Sequence, residues 1–130
     1  MVRTRYLSVD EIIEANRRIL GEIKVKKADS HRILDRKGLE QLVVNVEKLD
    51  GDAYRKAVFL LVGLIRGHHF ASGVRRTAFA VTEVFLQANG ISPNITYEPE
   101  VFTGIREHAY SEDEIEDWLK GNGIRRFSRS

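Results

Sequence analysis

Apolar residues recur at steps of three and four along most of this chain, and polar punctuation separates the runs. Ser8-Val9-Asp10-Glu11 has the form of a capping box, in which the Ser8 hydroxyl accepts from the Glu11 amide and the Glu11 carboxylate reaches back to the Ser8 amide. Val9, Ile12, Ile13, Ile19 and Leu20 then share one helical face, and Gly21 closes the segment. Residues Glu22 to Leu34 lack a clear period, carry Lys24, Lys26 and Lys27, and read as a loop or a short hairpin. A second helix is expected from Lys37 to Lys48 with Leu39, Leu42, Val43 and Val46 as its stripe, ended by Asp50-Gly51-Asp52.

The cleanest stripe follows: Tyr54, Ala57, Val58, Leu61, Leu64, Ile65 and His68, with Phe59, Leu60 and Val62 apolar on the remaining faces. Such a helix is buried most of the way round. The segment from Val74 to Ala88 is equally apolar through Ala78, Phe79, Ala80, Val81, Val84, Phe85 and Leu86, and Asn89-Gly90 stops it. After a loop containing Pro93, Pro99 opens a fifth helix through His108. Ser111-Glu112-Asp113-Glu114 is a second capping box ahead of Ile115, Trp118 and Leu119, and Gly121 and Gly123 end that helix. The pattern predicts an all-α, compact single-domain bundle over residues 1–124. Its two central helices are buried and joined by a short turn, His69 to Gly73. The basic tail Arg125 to Ser130 is expected to fray.

Composition narrows the class. A chain of 130 residues supports one core and is short for two. The 21 Lys+Arg nearly balance the 19 Asp+Glu, so charge gives no reason to expect a nucleic-acid partner. Cysteine is absent, which excludes disulfides and thiolate metal sites and fits a cytoplasmic protein. No signal-like apolar run follows Met1 to Arg5, and the longest apolar stretch, Ala57 to Ile65, is far short of the roughly 20 residues a membrane span requires.

The chemistry concentrates where the two buried helices meet, in His68-His69-Phe70-Ala71-Ser72-Gly73-Val74-Arg75-Arg76-Thr77-Ala78. His68, at the end of one central helix, is a candidate proton acceptor near neutral pH, and a helix C-terminus would favour its protonated form. Gly73 permits the turn. The amides of Val74, Arg75 and Arg76, with two guanidinium groups, form a candidate anion nest at the start of the next helix. A phosphate held there would lie close to His68, which could act as general base toward an attacking hydroxyl. Phe70 is expected to pack inward and anchor the turn. His31 and His108 are expected to face solvent, and Trp118 to belong to the core.

This stretch resembles the signature of the Fic/Doc family, His-x-Phe-x-(Asp/Glu)-(Gly/Ala)-Asn-(Gly/Lys)-Arg, with the Thr-Ala that follows it in the Doc (death-on-curing) branch. His68 takes the position of the catalytic histidine, Phe70 that of the buried phenylalanine, Gly73 the turn, Arg75 the Gly/Lys position and Arg76 the phosphate-binding arginine. The likeness extends to Tyr6-Leu7-Ser8, to Leu64-Ile65-Arg66-Gly67, to Phe85 through Gly90 and to the Ser111–Leu119 segment. The resemblance implies an all-α core that transfers a phosphoryl or nucleotidyl group from ATP or another nucleoside triphosphate, with Mg²⁺, to a protein hydroxyl. Its Doc branch implies a translation elongation factor as target and a toxin role opposed by a small antitoxin. It also implies a flap ahead of the motif that aligns the target by strand pairing, here between Glu22 and Leu34.

Two positions depart from the motif. The acidic residue that holds Mg²⁺ in the family is Ser72 here, whose hydroxyl can coordinate the ion but brings no charge. The phosphate-binding asparagine is Val74, which offers only its backbone amide. These departures leave two expectations side by side: a weakened Doc-like transferase, or a Fic/Doc-fold protein that has lost catalysis and binds a nucleotide or a partner. The family's self-inhibitory Ser/Thr-x-x-x-Glu-Gly/Asn pattern has no match, so any inhibitor would come from outside the chain.

Overall fold

The computed structural model describes residues 3–22 and 32–127, and their only regular elements are six helices. These are α1 Val9–Glu22, α2 Arg36–Lys48, α3 Ala53–Arg66, α4 Val74–Ala88, α5 Pro99–Arg106 and α6 Glu112–Leu119. Local chemistry fixes most of the starts. Ser8 Oγ accepts from the Glu11 amide at 3.1 Å and Glu11 Oε1 from the Ser8 amide at 3.0 Å, the reciprocal pair expected of a capping box. Ser111 and Glu114 repeat it at α6. Asp35 and Asp52 cap α2 and α3 by accepting from the amides of Gly38 and Arg55. At α5, Pro99 fills the first turn.

Helix α3 is the axis of the molecule. It packs against α2, α4, α5 and α6, while α1 lies on α4 and α2. Ala57, Val58, Leu60, Leu61, Leu64 and Ile65 are all buried, so α3 is apolar around most of its circumference because neighbours cover it there. Gly63 lets α2 approach closely; a Cβ there would run into the Leu42 side chain. Helix α4, the second central helix, buries Ala78, Val81, Phe85 and Leu86. Trp118 is core, as its spacing predicts, and its indole N–H donates to Glu98 at 3.1 Å. No helix among the described residues is long and apolar enough to cross a membrane.

Lys56 is buried inside this bundle. Its ammonium donates to the carbonyls of Val46, Glu47 and Leu49 at 3.0, 3.3 and 2.6 Å and sits 5.2 Å from the centre of the Tyr6 ring. A cation therefore satisfies the orphan carbonyls at the C-terminus of α2, where the helix dipole favours positive charge. Lys56→Met keeps the apolar stem and removes the donors. Relief of the ammonium's desolvation offsets part of the loss, but three carbonyls lose their partner, so we expect about 3 kcal/mol of destabilisation. The midpoint of urea unfolding checks this; a midpoint within error of the wild type would show that the carbonyls find other donors.

Several boundaries differ from the sequence pattern. Helix α1 continues through Gly21 to Glu22. Helix α3 stops at Arg66, because Gly67 adopts an extended conformation (φ −83°, ψ 138°). Helix α5 ends at Arg106 rather than His108, whose φ of 60° turns the chain out, leaving its side chain exposed as expected. The tail is held rather than frayed through Phe127. Ile124 and Phe127 pack on the core, and the Arg125 carbonyl accepts from the Tyr110 hydroxyl at 3.1 Å. The Arg125 side chain binds Glu114 at 2.6 Å and the Ala109 carbonyl, and that guanidinium holds the Glu114 carboxyl below the usual carboxylate range. Residues 128–130 of the expected frayed tail, His31, and most of the Glu22–Leu34 segment read as loop, hairpin or flap lie outside the described residues.

Candidate functional site

The junction between α3 and α4 is a loop, Gly67 to Gly73, fixed from three sides. From below, Phe70 is 4% exposed and belongs to the core. From the α2 side, the backbone of Arg32 to Leu34 runs antiparallel to it: the Leu34 amide donates to the His69 carbonyl at 2.7 Å and the Ala71 amide to the Arg32 carbonyl at 3.0 Å. His69 is buried beside the α2 cap, with Nδ1 3.4 Å from the Asp35 carbonyl oxygen and 3.9 Å from its Oδ2. From the α1 side comes Asn16, which is 2% exposed; its Nδ2 donates to the Ser72 carbonyl at 2.9 Å and to the Thr77 hydroxyl at 3.0 Å.

Asn16 thus ties the last residues of the loop to the first turn of α4. Between its two acceptors stands Gly73 at φ 73°, a left-handed conformation natural to glycine. A Cβ at Gly73 would also press on Leu20 and on Asn16 itself. The Thr77 amide closes the first helical bond to the Gly73 carbonyl at 2.9 Å, and Gly73 supplies no side chain to cap the amides of Val74, Arg75 and Arg76. Four of the other helix starts use a Ser or Asp oxygen for that purpose. The first turn of α4 carries no acidic residue and two arginines, the arrangement the helix dipole favours least in the absence of an anion.

His68 is exposed, two residues beyond the last residue of α3. It does not continue the buried stripe as its spacing suggested, because Gly67 leads the chain away from the helix. That also places it outside the last turn, where the effect of the helix C-terminus falls off. Arg76 is exposed and its guanidinium carbon lies 4.6 Å from the centre of the Tyr97 ring. Arg75, Ser72 and Val74 are half-buried, and Val74 packs against the core. His68 enters the loop where α3 stops; Arg75 and Arg76 leave it where α4 begins.

No protein-family model matches this chain, and no curated protein matches it in sequence.

Asn16, Asp35 and Tyr97 shape the junction and escaped the sequence reading, as did the packing of His69 against the α2 cap. Asn16 had a detectable signal: it stands four residues after Ile12 and four before Leu20, a polar side chain on the apolar stripe of its helix. We expect Asn16→Asp to cost about 3 kcal/mol at neutral pH, because a carboxylate would face the Ser72 carbonyl with no proton to donate. Burial and that carbonyl would raise the pKa of the introduced acid in the folded state. Stability would therefore return as pH falls through the raised value, where the neutral acid can again donate. Urea titrations at several pH values check this; a penalty independent of pH would remove Asn16 as the donor.

Donors for a divalent cation are sparse at the junction. Gly67 to Arg76 contains no carboxylate, and no group of three or more His, Asp or Glu among the described residues is arranged to hold a metal. A protein-held Mg²⁺, which favours carboxylate oxygens, does not fit this donor set. A cavity of about 470 Å³ lies elsewhere, between the start of α5 and the C-terminal segment, edged by Tyr97, Tyr110, Arg126 and Phe127.

Proposed function

We propose that this chain is a Fic/Doc-like transferase that moves a phosphoryl or nucleotidyl group from a nucleoside triphosphate such as ATP to a protein hydroxyl. The observation that carries the reading is the junction: an exposed histidine enters a pinned loop that delivers an uncapped helix start bearing two arginines. The amides of Val74, Arg75 and Arg76 and the Arg76 guanidinium hold the phosphate oxygens and offset the charge that develops on them. As the acceptor oxygen attacks phosphorus, its proton passes to the His68 imidazole, and the bond from phosphorus to the bridging oxygen breaks. That oxygen leaves with its electron pair on nucleoside diphosphate for phosphoryl transfer, or on pyrophosphate for nucleotidyl transfer. The partners that accompany this reading are a protein substrate, a translation elongation factor in the Doc-like version, and a small antitoxin, all in the cytoplasm.

Ser72 and Val74 favour a second reading, in which the same junction binds a nucleotide or partner without turning it over. One experiment separates the two. The protein is incubated with cell extract or a candidate elongation factor, Mg²⁺ and each nucleoside triphosphate in turn, and intact masses are recorded. The transferase reading expects a target heavier by one phosphate or one nucleoside monophosphate. Binding of a nucleotide without any mass change would leave the binding module; neither binding nor modification would remove both.

A further inference from the structure

Arg76 stands at a helix start and also at the end of an aromatic stack. Its guanidinium carbon lies 4.6 Å from the centre of the Tyr97 ring. Tyr97 itself is stacked on Phe102, with centroids 5.1 Å apart and planes 26° from parallel, and meets the edge of Phe79 at 5.6 Å. Phe102 is fully buried and meets Trp118 edge-on at 5.8 Å. The ring under Arg76 is thus fixed by the core, through one residue on α4 and one on α5. It belongs to the segment that returns from the end of α4 to the start of α5.

An exposed arginine ordinarily samples many rotamers and loses that freedom when it grips a ligand. A contact through a ring face orients the guanidinium while leaving most of its five N–H donors for an oxyanion, which a carboxylate partner would not do. No carboxylate pairs with Arg76 among the described residues. We infer that Tyr97 is a positioning residue that preorganises Arg76 for a phosphate or pyrophosphate group at the start of α4. This rests on the anion-binding part of the proposed function and adds to it a residue outside the His68–Arg76 motif.

The test is a double-mutant cycle read by calorimetric titration with Mg²⁺–ATP and, separately, with inorganic pyrophosphate. Arg76→Ala and Tyr97→Leu are each expected to weaken binding about tenfold, and Tyr97→Phe to stay within about twofold of the wild type. The variant carrying both Arg76→Ala and Tyr97→Leu is expected to bind no more weakly than Arg76→Ala alone, because Tyr97 acts only through that arginine. A purely structural ring would instead add its loss to that of Arg76→Ala, which would overturn the inference. So would wild-type affinity in Tyr97→Leu. Failure of the wild type to bind either probe would overturn the anion site, and the inference with it. Should Tyr97→Leu fold poorly, the unmodified protein still decides. The Arg76 side-chain protons are expected to resonate upfield through the ring current of Tyr97, and unshifted resonances would refute the stack.

Discussion

Transfer to a protein hydroxyl is expected to fall about 10³-fold in His68→Ala, with nucleotide binding and stability unchanged. The side chain is exposed and makes no hydrogen bond or ion pair among the described residues, so its removal leaves no buried donor and no cavity. What disappears is the acceptor for the hydroxyl's proton, a loss confined to the chemical step. The neighbouring histidine provides the contrast. His69 is buried against the α2 cap, so His69→Ala is expected to lower stability by opening a gap between Asp35 and the loop. Initial rates from intact masses, read beside urea midpoints, separate these effects. Full activity in His68→Ala would remove it as the base. Loss of rate in a stably folded His69→Gln would move the role one residue along.

That contrast shows where sequence reasoning reached and where it stopped. Features decided within one helical turn were legible: the boxes at Ser8 and Ser111, the start of α5 at Pro99 and the stop at Asn89-Gly90. The stripes that make α3 and α4 central were legible too, because burial on most sides leaves an apolar residue at nearly every position. His68 was misplaced because its spacing continues the stripe, whereas the chain leaves the helix at Gly67, where the His69 imidazole packs so close that a Cβ would strike it. The pins of the loop are equally non-local. Asn16 reaches Ser72 and Thr77 across 56 and 61 residues, and no local pattern specifies such a pairing. The same holds for Tyr97 beneath Arg76, since only the return of the chain to α5 brings the ring under the guanidinium.

The Ser72 and Val74 positions are expected to set the speed of the chain, and changing both together, Ser72→Asp with Val74→Asn, should raise transfer about 10²-fold. The loop backbone is already arranged to accept the change. The Ser72 contact with Asn16 runs through the backbone carbonyl, so replacing the side chain leaves that hydrogen bond in place. A carboxylate just ahead of α4 is also favoured by the helix N-terminus. Val74 is only half-buried, and trading its contacts with the core for an amide is expected to cost about 1 kcal/mol of stability, which the fold can absorb. In return the site gains a charged oxygen for the Mg²⁺ carried by the nucleotide and a side-chain donor for phosphate. The signature of this origin is a rate that becomes steeply dependent on Mg²⁺ in the double variant and stays nearly flat in the wild type. A folded double variant with the wild-type rate would show that these two residues do not limit the chemistry. In that event Arg75, the extra cation in the first turn of α4, becomes the next position to remove.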